Sequence, residues 1–74
     1  MSQEIRNRIN YTVMCIGAFS ARHAMRLQES YLYLKEFGGI AFLKECYEAE
    51  HLLSIDDAVD DLTVLCKRNG GNVA

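Results

Sequence analysis

The stretch FGGIAFLKECYEAEHLLSIDDAVDDLTVLCKRNGG, residues 37 to 71, decides the fold of this chain. It contains a Gly-Gly stop near its start and another at its end, with two apolar-periodic segments between them. Gly38 can adopt the left-handed conformation that ends a helix, and Gly39 can open the next one without steric cost. Ile40, Leu43 and Tyr47, with Cys46 beside them, recur at helical spacing and predict a third helix from Ile40 to Glu50. Ser54 followed by Asp57 is a capping-box pattern, which places the start of a last helix. Asp56 and Asp57 complement the positive end of its dipole, and Lys67 and Arg68 complement the negative end. Ile55, Ala58, Val59, Leu62, Leu65 and Cys66 form its inner stripe, and Gly70 stops it.

The first half follows the same period less cleanly. Ile5, Ile9, Val13 and Ile16 recur at four, four and three, the stripe of an amphipathic helix. From Tyr11 onward that helix is apolar on more than one face. The phase continues through Leu27, Tyr31 and Leu34, which would permit one helix from residue 3 to 37. Such a helix would far exceed the mean of about 12 residues, and the in-phase positions Ser20 and His23 are polar. A break is therefore expected within residues 22–26, although neither glycine nor proline marks it. Leu27 to Phe37 is then a second helix. The expected architecture is all-α, one small domain of about four short helices spanning residues 1–74.

Composition agrees with that architecture. The chain has 74 residues, half of them apolar and about a quarter charged, and no proline. A domain this short buries only about 60% of its unfolded surface, so its core is marginal unless a partner extends it. Cys15, Cys46 and Cys66 are an odd number without metal-type spacing, and each lies in an apolar helical stretch. A secreted mini-protein of this size would carry a denser, even set, so a reduced cytoplasmic protein is expected. Arg6, Arg8, the run Tyr11 to Phe19 and Ala18-Phe19-Ser20 imitate a signal peptide, but Glu4 and Asn10 intrude and Thr12 and Gly17 dilute the apolar run. That run is also too short for a membrane span, which needs about 20 residues.

Charge is divided along the chain. Residues 1–35 carry five basic groups against Glu4 and Glu29, a net +3, whereas residues 36–66 carry eight acids against Lys44, a net −7. The dense acidic half is either a solvated face or a patch that attracts a basic partner.

The candidate sites for chemistry are thin. Glu48-Ala49-Glu50-His51 contains the Glu-x-x-His spacing of di-iron helical bundles, which need two such motifs and further glutamates. Only one copy is present, so no metal site or cofactor is assigned, and His51 is expected to cap or pack near the end of the third helix. Cys46 with His51, or Cys15 with His23, would make a nucleophilic pair only with a thiolate beside a base and an oxyanion site. No glycine-rich elbow or helix-start cysteine supplies that setting, and no enzymatic activity is expected. Helix, Gly-Gly, helix also suggests a helix-turn-helix, but the second helix would present Glu45, Glu48 and Glu50 against a single Lys44. Phosphate repulsion opposes such docking, so no nucleic acid is expected. Tyr31, Tyr33, Phe37, Phe42 and Tyr47 crowd around the Gly-Gly turn, and not all can point inward. They are either a large core with partly exposed rings or a protein-binding patch.

Residues 9 to 71 resemble a family of small bacterial domains of unknown function. The resemblance is carried by Phe37-Gly38-Gly39-Ile40, Phe42-Leu43, Tyr47, Glu50-His51-Leu52, Ser54 through Asp57, Val59, Asp61, Leu62, Cys66 and Asn69-Gly70-Gly71. Such domains are often encoded beside ADP-ribosyltransferase-like proteins, an arrangement that looks like a toxin with its antitoxin or accessory partner. Relatives tend to open the second helix with a Ser-type cap after Met, whereas here Met25 is followed by Arg26. No catalytic residue follows from the resemblance. It implies a small helical protein-interaction module, antitoxin-like or accessory to an ADP-ribosyltransferase-like protein, with a nucleic-acid-binding transcriptional regulator as the alternative. The candidate partner-binding residues are Tyr33, Phe42, Tyr47, His51, Asp60 and Asp61, and a homo-oligomer is left open.

Overall fold

The computed structural model describes residues 2–73. Five helices follow one another, α1 Gln3–Arg22, α2 Leu27–Glu36, α3 Gly39–Glu45, α4 Tyr47–Glu50 and α5 Ile55–Arg68, with no strand among the described residues. The all-α architecture is as the periodicity required. Four helices have seven residues or more, and α4 is a single turn.

The stops explain how such short helices are delimited. Ser2 Oγ accepts from the Ile5 N–H at 3.2 Å and caps α1. The break between α1 and α2 falls inside the expected window, and its device is Ala24, held at φ 53. The Met25 N–H then reaches back to the Ser20 carbonyl at 2.9 Å, the long bond of a Schellman stop. Glycine normally fills this position, because a Cβ in the left-handed region costs roughly 1–2 kcal/mol. That is why no local signal marked the break. At the start of α2, Arg26 has no side-chain acceptor to offer the helix. Glu29 supplies half of a capping box instead, its carboxylate accepting from the Arg26 N–H at 3.0 Å.

Gly38 takes φ 85 and Gly39 opens α3, as expected. A Cβ on Gly39 would sit 2.8 Å from Leu34 Cδ2, so glycine is needed there for close approach of α3 to α2. The expectation of one helix from Ile40 to Glu50 is corrected. Cys46, at φ −105 and ψ 16, interrupts it, and both Ala49 and Glu50 donate to the Cys46 carbonyl to start α4. The bend keeps Leu43 in the core while Tyr47 turns its ring edge onto Tyr11, 5.5 Å between centroids. Ser54 Oγ caps α5 by accepting from the Asp57 N–H at 3.1 Å. At its far end Gly70, φ 103, sits in a full Schellman motif, with Gly71 donating to Cys66 and Gly70 to Lys67.

α1 is the spine, packing against α2, α5 and α3 within a body of 35 × 22 × 20 Å. Cys15 and Phe19 of α1, Leu34 of α2, Leu43 of α3 and Ala58, Val59, Leu62 and Cys66 of α5 form the core. The α5 stripe is therefore the one anticipated. The α1 stripe is not. Ile5, Ile9 and Val13 face outward, and the helix buries Tyr11, Cys15 and Phe19 instead. On α2, likewise, Leu27 and Tyr31 are exposed, whereas Ser30 and Leu34 are buried. Ser30 is tolerated there because its hydroxyl donates to the Ile16 carbonyl at 3.2 Å, which lets α1 and α2 approach over a small residue.

Candidate interaction surface

The six residues singled out from sequence do not form one patch. Tyr33 is a packing residue. Its ring lies 5.8 Å from Phe19 and 4.9 Å from Phe37, and its hydroxyl accepts from the Val73 N–H at 3.2 Å, which pins the C-terminal tail. Tyr47 and His51 are together, stacked at 4.4 Å and nearly parallel, with His51 Nδ1 donating to the Tyr47 carbonyl at 2.6 Å. His51 thus closes α4. The other face of this pair is held by Arg8, whose guanidinium lies 4.4 Å from the Tyr47 ring centre.

Asp60 is held by Arg22, which also reaches the Asp56 carboxylate at 3.6 Å and the Asp56 carbonyl at 3.1 Å. Arg8 pairs with Glu4 at 3.3 Å and with Glu48 at 3.0 Å. The division of charge along the chain therefore has a structural counterpart, because two α1 arginines clamp acids of α4 and α5. These bridges are largely solvent-exposed, and each contributes ~0–1 kcal/mol. Glu48 and His51, the lone Glu-x-x-His pair, are both engaged with other partners. Among the described residues no group of three His, Cys, Asp or Glu is arranged to hold a metal.

Phe42 and Asp61 do share one groove. With Val64, Leu65 and Arg68 they line a shallow groove of about 230 Å³ between α3 and α5. Behind it, Glu50 of α4 is only 7% exposed, and its Oε1 has no hydrogen-bond partner. Burial, then the neighbouring Asp61 carboxylate, push Glu50 up to about 7. The Tyr11 hydroxyl, also buried and unpartnered, is pushed up by burial first and then by Cys15, Glu50 and Asp61. Burial likewise raises the thiols of Cys15 and Cys66, the opposite of what a nucleophilic cysteine requires. The Glu50–Asp61–Tyr11 cluster had no sequence signal, since it depends on the bend at Cys46.

A larger concave surface lies elsewhere. A groove of about 370 Å³ runs between α1, α2 and α3, with Ile9, Val13, Ile16 and Tyr31 as its floor and Arg8 and Lys44 at its edges. Ile5 and Leu27 extend its apolar surface by one turn on α1 and α2, since residues four apart share a helix side. Ile9 is 48% exposed, Val13 60% and Leu27 62%. Periodicity had singled out Ile5, Ile9, Val13 and Ile16 but not the face they occupy. Tyr11, Cys15 and Phe19 form a second apolar row on the same helix, so periodicity offered two faces and no signal to choose between them.

A family model described as "Protein of unknown function (DUF3791)" matches residues 10–69. Neither the curated proteins nor the solved structures contain a match to the chain. No helix among the described residues is long and apolar enough to cross a membrane.

Proposed function

The chain belongs to the DUF3791 family, and from that premise we propose that it is a protein-interaction module, an antitoxin-like or accessory partner of an ADP-ribosyltransferase-like protein. One observation carries the binding role. The core is complete on one side of α1, yet the other side presents Ile5, Ile9 and Val13 beside Leu27 and Tyr31 of α2. A soluble domain this small keeps a contiguous apolar groove at the cost of solubility, and such surfaces mark interaction sites. The toxin-like partner rests on the sequence resemblance alone.

The test is co-expression. The protein encoded next to this chain should be ADP-ribosyltransferase-like, arrest growth when expressed alone and be tolerated together with this chain. Val13→Asp, at an exposed position, should abolish that protection while leaving the circular dichroism melt unchanged. No complex with the neighbour and no rescue of growth would remove the reading. Tight, salt-sensitive binding of the chain to its own upstream DNA would favour the transcriptional regulator instead.

A further inference from the structure

The α1–α2–α3 groove has a shape and a charge that restrict what it can hold. Its apolar row from Ile5 to Ile16 covers eleven helical steps, about 16 Å at 1.5 Å per residue, or three turns of an opposing helix. Lys35 and Lys44 border it on two different helices and make no ion pair among the described residues. Lys35 stands one turn beyond Tyr31 on the same side of α2, and Lys44 lines the groove edge itself. Arg8, which also lines the groove, is paired with Glu4 and Glu48. The border is therefore net cationic around an apolar floor.

We propose that this groove seats one amphipathic α-helix of a partner protein, with its apolar face flanked by aspartate or glutamate. This rests on the reading of the chain as an interaction module and names the chemistry of what it binds. Helix-in-groove recognition uses apolar anchors at i, i+3, i+4 and i+7, which match a floor built from two helical rows. Carboxylates beside those anchors would meet Lys35 and Lys44, raising the association rate and excluding basic helices. A second copy of the chain fits less well. In a two-fold dimer the same patch faces itself, which would bring the unpaired Lys35 and Lys44 of both copies into one interface.

The experiment uses the full chain and two fluorescent sixteen-residue peptides with identical leucine spacing, one flanked by glutamate and the other by lysine. Fluorescence anisotropy should show the glutamate peptide binding at least tenfold tighter, with the difference shrinking at high salt. Lys35→Glu with Lys44→Glu should reverse the preference. Val13→Asp or Ile9→Asp should weaken binding at least tenfold with the helical melt unchanged, so loss of binding is separable from loss of fold. Equal binding of both peptides, or binding of neither, overturns the proposal. A dimer in sedimentation that Val13→Asp disperses would assign the groove to a second copy. Val13-dependent binding to phosphatidylserine vesicles would assign it to a lipid surface, and either result overturns the proposal. Failure here with growth protection intact removes only the groove, whereas failure of protection with peptide binding intact removes only the antitoxin-like role.

Discussion

Glu50→Gln should remove most of the pH dependence of stability between pH 5 and 8. Glu50 is buried under α4 against Asp61 of α5 and against Tyr11 and Cys15 of α1, and no cation faces it in that cluster. Its carboxyl is pushed from an ordinary 4.5 up to about 7, chiefly by burial and then by Asp61. The folded chain therefore holds this proton more tightly than the unfolded chain does. Stability from this group is complete below about pH 4.5, declines as pH rises through the window to about 7, and is lost above it. At about 1.4 kcal/mol per pH unit the window has a ceiling of about 3 kcal/mol. A one-turn helix can swing outward and rehydrate the carboxylate, so a loss of about 2 kcal/mol is expected. That is a large part of the 4–11 kcal/mol, on the order of 0.05–0.15 per residue, available to a chain of this length. Glutamine keeps the shape and the donor of the protonated acid without its ionisation. Urea denaturation followed by far-UV circular dichroism at pH 5, 6, 7 and 8 measures the difference. The variant should match the parent within about 1 kcal/mol at pH 5 and exceed it by about 2 kcal/mol at pH 8. Parallel stability curves for the two proteins would refute the argument.

Three further substitutions probe how the helices are delimited. Ala24→Gly relieves the left-handed strain at the α1–α2 break and should raise stability by about 0.5–1 kcal/mol; a lower denaturation midpoint would mean that the break is not held this way. Gly71→Ala would drive a Cβ to 2.8 Å from Tyr33 Cζ and 2.9 Å from the Cys66 carbonyl, and should cost about 2 kcal/mol; an unchanged melting temperature would contradict the tail packing. Ser54→Ala removes the α5 cap and should cost about 1 kcal/mol in urea denaturation, whereas no change would mean that this hydroxyl does not cap the helix.

The sequence by itself determined the helices and most of their ends. Ser54 and Gly70 delimit α5, Gly38 and Gly39 separate α2 from α3, and the spacing of Ala58, Val59, Leu62 and Cys66 names the face that α5 buries. These features are local, because caps and left-handed stops depend on residues within a turn of one another. The tertiary structure alone decided which of two apolar rows on α1 is inside. Tyr11, Cys15 and Phe19 and the row Ile5, Ile9 and Val13 are both periodic, and only the placement of α5 against the first row leaves the second exposed. It also decided the bend at Cys46, and through it the burial of Glu50 beside Asp61, eleven residues away in sequence and on another helix. Periodicity measures how apolar a face is, but a helix that is apolar on two faces carries no record of which one its neighbours will cover.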